Sequence, residues 1–155
     1  MRRLLFTISF SFLFLATSTA QVPFARDSKV LDQVLETAFR HYMPKDGSVY
    51  LGKVVCLKAD KELSDEFLKR FTLKAAKVVR ASECTVDMAE GVQLKKTGEH
   101  GVATSIFSVE WISGSEAEVK GGNYWSGLGS TYSTLRIVYK QGKWFVKSET
   151  ITGVS

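Results

Sequence analysis

The side chains with chemistry to offer are few. The histidines are His41 and His100, the cysteines Cys56 and Cys84, and the densest aromatic group is Tyr124, Trp125 and Tyr132 around a glycine-rich turn. A metal centre needs several convergent ligands. Two histidines in separate segments, with the cysteines expected to bridge, do not supply them, so no metal and no cofactor is expected. Glu99-His100 sets an acid beside a base, yet neighbours along a strand point apart. His41 closes a helical pattern, where a cation meets the negative end of the helix dipole. Gly127-Leu128-Gly129 has the glycine spacing of a phosphate loop, but it joins two strand-like runs with no helix following to present its N-terminus. No Gly-x-Ser-x-Gly elbow occurs, and no Ser/His/Asp set stands out. No catalytic residue is nominated.

The aromatic group is the richest stretch. Tyr and Trp join an apolar ring to a polar handle, which suits a surface that is dry at one end and wet at the other. Tyr124, Trp125 and Tyr132 are candidates to stack on a sugar, a peptide or an aromatic ligand, with Asn123 and Arg136 as polar partners. The competing role is cross-strand packing within a sheet.

These residues need elements to position them, and the last third of the chain supplies the frame. Ala103, Ser105, Phe107, Val109 and Trp111 alternate with Thr104, Ile106, Ser108 and Glu110, the period of a half-buried strand. Ser113-Gly114-Ser115 breaks that run. Ala117 and Val119 then alternate with Glu116, Glu118 and Lys120, and Gly121-Gly122 suggests a bulge or bend. Leu135, Ile137 and Tyr139 alternate with Thr134, Arg136 and Lys140, and Gln141-Gly142 makes a short hairpin before Trp144 and Val146. The expectation is a four-strand antiparallel meander from residue 101 to 155 with one covered face.

Upstream, Asp27-Ser28 offers an N-cap for a helix carrying Leu31, Val34, Leu35, Ala38, Phe39 and Tyr42 on one face, stopped by Pro44 and Gly47. A strand is expected over 49–57, and a second helix over 60–71 with Ser64 as a cap. Val78-Val79 is expected as a short strand bringing Cys84 near Cys56. Val86, Met88, Val92 and Leu94 suggest a broken strand.

Length and composition bound the rest. The chain of 155 residues is one domain. Residues 1–20 carry Arg2-Arg3, an apolar run and Ser18-Thr19-Ala20, the pattern of a secretory signal, leaving 21–155 as a single α+β domain. The product would be secreted or periplasmic, with no membrane contact after cleavage. Without Arg2 and Arg3 the formal charge of +5 becomes +3. Lys and Arg are spread among acids, unlike the patch of a nucleic-acid binder, so no nucleic-acid partner is expected. In an oxidising compartment Cys56 and Cys84 are expected to bridge across roughly 28 residues, contributing about 3–4 kcal/mol.

Helix first, then short elements, then a curved, mainly antiparallel sheet ending in a four-strand meander resembles the NTF2-like and cystatin-like α+β rolls. Val55-Cys56-Leu57 with Ser64-Asp65-Glu66-Phe67-Leu68, Ala81-Ser82-Glu83-Cys84 and Gly122-Asn123-Tyr124-Trp125-Ser126-Gly127-Leu128 also resemble segments of small secreted bacterial proteins. The resemblance implies a sheet wrapped on a helix, with a pocket at its open end, and brings no activity. The expected function is a small secreted binding domain for a small molecule or a protein, not an enzyme. The alternatives are an NTF2-like pocket enzyme, with Asp87, Glu110 and His100 as its acids and base, or an inhibitor or immunity-type partner.

Overall fold

The structure is a computed structural model that describes residues 27–43, 54–74, 76–126 and 129–155. The expected signal segment, the stop at Pro44 and Gly47, the start of the 49–57 strand and Gly127-Leu128 lie outside the described residues.

Helix α1 runs Ser28–Tyr42. Asp27 caps it by accepting the Lys29 N–H at 2.8 Å. Val30, Val34, Leu35, Ala38, Phe39 and Tyr42 bury one stripe of it. Arg40 bonds Glu36 at 2.8 Å along its outer face. Strand β1 is Val54–Lys58.

The second helix is shorter than expected. Helix α2 spans only Asp65–Leu68. Ser64 stands in an extended conformation and accepts the Phe67 N–H at 3.1 Å, so the helix cannot begin before it. Upstream, the Leu63 carbonyl accepts from Arg80 Nε, fastening that segment. Leu63, Phe67 and Phe71 still reach the core. The apolar spacing over 60–71 is met by one turn and its flanks.

Strand β2 is Lys77–Arg80, and a 3-10 turn over Ala81–Glu83 leads into β3, Cys84–Asp87. β4 is Gly91–Leu94, so the expected broken strand is a hairpin turning at Met88–Glu90. Four long strands follow: β5 His100–Ser113, β6 Glu116–Ser126, β7 Gly129–Lys140 and β8 Lys143–Val154.

The eight strands among the described residues form one sheet, in the order β2-β1-β5-β6-β7-β8, with β4 joining the start of β5 and β3 pairing β4. β5 to β8 are the antiparallel meander. Gln141 (φ 54°) and Gly142 (φ 79°) close its last hairpin, the left-handed pair that a two-residue turn requires. β1 lies parallel to both β2 and β5, an arrangement that no local pattern in the sequence announces. The molecule is α+β, two helices packed on a sheet that ends in antiparallel strands.

One expectation about the sheet is corrected. β5 does not carry Ala103 to Trp111 on one face. Ile106 pairs Gly121 while Ser108 pairs Lys120, which leaves Phe107 as an extra residue in a β-bulge. Side-chain direction inverts there. Val102 and Ile106 before the bulge, and Val109 and Trp111 after it, all join the cluster under α1. Ala103 belongs to a second cluster with Val54, Cys56, Val79, Cys84, Val92 and Leu94. The sheet therefore has a helix face and an opposite face, and Cys56–Cys84 bridges β1 to β3 on the latter with Cα atoms 6.4 Å apart.

Gly121, opposite the bulge, has no side chain for a packing reason. A Cβ there would sit 2.7 Å from the Tyr42 ring. That ring is buried against the sheet, and its one hydroxyl proton is shared between the Ser133 carbonyl at 2.9 Å and the Val119 carbonyl at 3.2 Å.

Candidate functional site

The five residues of the aromatic stretch do not all converge: Asn123, Tyr124 and Tyr132 border one groove, and Trp125 and Arg136 lie outside it. Strand alternation sends Tyr124 and Trp125 to opposite faces. Trp125 packs against the cluster under α1. Asn123 is committed on the same side: its Oδ1 accepts the Thr104 hydroxyl at 2.7 Å and its Nδ2 donates to the Tyr42 carbonyl. This amide fastens the end of α1 to the sheet. Tyr124 belongs to the disulfide face, packing against the second cluster, and its hydroxyl donates to the Asp87 carbonyl at 3.2 Å. Tyr132 pairs Gly122 on that face.

Arg136 shares the disulfide face but lies further along it. Its Nε donates to Glu116 Oε1 at 2.7 Å, which holds the Glu116 carboxyl below its usual range. It lines a polar groove of about 350 Å³ with Glu118, Thr134 and Lys147. Gly122 and Glu118 are four positions apart on β6, so Arg136 stands ~13 Å from the tyrosines along the strand.

What does converge is a groove of about 290 Å³ on the disulfide face. Its floor is Cys56, Cys84 and Ala103, and its walls are Phe107, Tyr124 and Tyr132. The Phe107 and Tyr132 rings lie 5.9 Å apart, tilted by 43°. Phe107 is 54% exposed and Tyr132 37%. Gly122 lies between the aromatic residues, and a Cβ there would strike the Thr131 carbonyl. Lys58 and Ser105, partners in the β1–β5 register, stand at the rim. Phe107, Lys58 and Ser105 were not nominated from sequence. Phe107 follows Ala103 and Ser105 at period two, so β5's own alternation places it on the groove face, and the bulge acts after it by turning Val109 and Trp111 to the helix side.

A second opening of about 450 Å³ lies between α1 and the sheet. Leu31, Leu35, Ile106, Val109 and Trp111 line it, with Asp60 and Lys61 at its edge. None of Tyr124, Trp125 or Tyr132 reaches it. Lys61 is paired with Asp32 at 2.9 Å. Phe107 borders this opening as well as the groove.

The acid and base candidates stand apart from both. Asp87 accepts the Ala89 and Glu90 N–H groups at 2.7 and 3.0 Å, and these bonds hold its carboxyl below the usual range. Glu110 pairs with Lys120 at 3.0 Å. His100 opens β5, exposed to solvent. Ser133, Glu149 and His41 do form a connected chain: the Ser133 hydroxyl donates to Glu149 Oε1 at 2.6 Å, and Glu149 Oε2 meets His41 Nε2 at 3.0 Å. The order is unsuited to a nucleophilic triad, because the carboxylate stands between serine and histidine. Ser133 is 2% exposed, so no substrate atom reaches it. Its bond, then His41, holds the Glu149 carboxyl below its usual range. The chain fastens α1 to β8.

Among the described residues, no group of three His, Cys, Asp or Glu is placed to hold a metal ion. No helix among them is long and apolar enough to cross a membrane. Compared with protein families, curated proteins and solved structures, the chain finds no match.

Proposed function

We propose that the chain is a small extracytoplasmic binding domain whose ligand seat is the groove over the Cys56–Cys84 bridge. The observation that carries this reading is the convergence of Phe107, Tyr124 and Tyr132 around an apolar floor, on a sheet face that α1 does not cover. A concave apolar site with a few polar groups at its rim is the form that small-molecule sites take. Residues 1–20 would direct export and be removed, and the disulfide suits an oxidising compartment. The sheet would curl about α1 as in the rolls that the element order resembles, keeping the opposite face accessible. Asn123, Trp125 and Arg136 drop to supporting roles in this reading, because their side chains are engaged elsewhere.

A pocket enzyme has less support. The opening between α1 and the sheet would be its site, but Asp87, Glu110 and His100 do not line it.

The test is a fragment screen on the oxidised chain, read by chemical shifts of the Phe107, Tyr124 and Tyr132 ring protons. Binders that shift these rings, and that Phe107→Ala with Tyr132→Ala abolishes, are expected. A screen whose binders shift only residues under α1 would move the site to the other face and sink this one.

A further inference from the structure

We infer that the ligand of the disulfide-face groove is a small organic anion with a flat apolar body, its charged group taken by Lys58. The inference rests on the groove reading above and goes beyond it in naming the ligand's chemistry.

The grooves differ in charge. Each of the other four described grooves has at least one carboxylate in its wall: Asp60, Glu36, Glu118, or Asp65 with Glu83. Among the described residues the disulfide-face groove has none, and Lys58 is the one charged group they place in its lining. The acids nearest in sequence to its lining are already engaged. Asp87 is held by its own turn, and Glu83 accepts from the Arg80 backbone and faces the Arg80 guanidinium. Lys58 has no ion pair among the described residues, whereas Lys61, Lys120, Arg80 and Arg136 all do.

Position supports the same conclusion. Lys58 is the last residue of β1, two places after Cys56, so both point to the groove face. Its cross-strand neighbour Ser105 offers a hydroxyl, and Tyr132 a phenol, and neither makes a hydrogen bond among the described residues. An ammonium with two hydroxyl donors suits a carboxylate or sulfonate. Phe107 and Tyr132 present the aromatic surface on which a flat body would lie. A lone exposed lysine is an ordinary solvated cation. A lysine at the mouth of an apolar groove that lacks any acid is a selector of charge.

The experiment compares two probes with the same rings. Anilinonaphthalene sulfonate carries a fixed anion, and phenylnaphthylamine is its uncharged twin. Each is titrated by fluorescence into the folded, oxidised chain, into Lys58→Met, and into the double variant Phe107→Ala/Tyr132→Ala, with circular dichroism confirming the fold. The wild type is expected to hold the sulfonate about three- to tenfold more tightly at low salt, the range of a partly exposed ion pair. Lys58→Met should erase that preference while leaving the neutral probe unchanged, and the double variant should weaken both. If the double variant weakens both but Lys58→Met leaves their ratio intact, the groove stands and the anion inference is overturned. If the double variant changes neither, or neither probe binds the wild type, the groove reading falls and takes the inference with it.

Discussion

On one side of the sheet Leu135 and Ile137 are wholly buried beneath α1, while on the other Phe107 and Tyr132 stand 54% and 37% exposed. Both sides are faces of the same strands, with residues alternating between them. The helix side is closed by volume. Phe39 meets Phe67 and Phe71 edge-on at 6.1 Å, and Arg40 and Arg70 lie over the Phe71 and Phe67 rings. The disulfide side has a smaller cluster of valines, Leu94 and Ala103 around a covalent bridge. One face is held by packed bulk, and the other by a staple that leaves aromatic surface outside. A face whose order comes from a bridge need not be covered to be stable.

The largest loss of stability is expected at Phe39. Phe39→Ala should cost about 3–5 kcal/mol, because the Phe67 and Phe71 rings lose their shared partner and a cavity remains. Urea denaturation, read as a fall in midpoint at constant slope, measures it. A loss below 1 kcal/mol would mean that the helix side is not the main core.

The staple comes next. Replacing Cys56 and Cys84 together by Ala should cost about 3–4 kcal/mol on the chain-entropy account. The loss should also be local in its effect. Amide exchange in β3 and β4 should accelerate more than in α1, because the bridge is the covalent tie of that hairpin to β1. Equal acceleration throughout would merge the two faces into one cooperative unit.

Tyr42 sharpens the comparison through pH. Burial pushes its phenol up from 10.0 to about 12. The folded state then holds a proton that the unfolded chain releases, so its contribution is complete below pH 10 and falls as pH rises towards 12. Tyr42→Phe should flatten that fall and cost about 0.5–1.5 kcal/mol at neutral pH, from the bonds lost to Val119 and Ser133. Stability measured at neutral pH and across the alkaline range checks both. An unchanged alkaline slope in the variant would contradict the assignment.

The smallest effect on stability belongs to the groove. Phe107→Ala should cost about 1 kcal/mol or less, since the ring is more than half exposed and its main partner is Tyr132. Thermal unfolding should barely move while ligand binding is lost. A large destabilisation would make Phe107 part of the core and erase the contrast between the faces.

Much of the frame was legible in the residues. The caps at Asp27 and Ser64, the hairpin at Gln141-Gly142, the meander and the Cys56–Cys84 pair all follow from local chemistry: a short side-chain oxygen, a left-handed turn, alternation, and an even cysteine count. The aromatic stretch was only half legible. Asn123, Tyr124 and Tyr132 do line the groove, though the Asn123 amide is bonded to Thr104 and Tyr42, while Trp125 turns to the helix side by strand alternation and Arg136 is spent on Glu116.

Which segments alternate and where the first helix starts follow from neighbours within a few residues, and which thiols could meet follows from there being two cysteines. Only the tertiary structure decided that β1 runs parallel between β2 and β5, and that Phe107 is an extra residue against Gly121. The bulge exists because β5 must keep Ile106 and Val109 on one face while pairing with β6, where Tyr42 needs the space that Gly121 leaves. That requirement arises between residues some eighty positions apart, and no window of local sequence contains it.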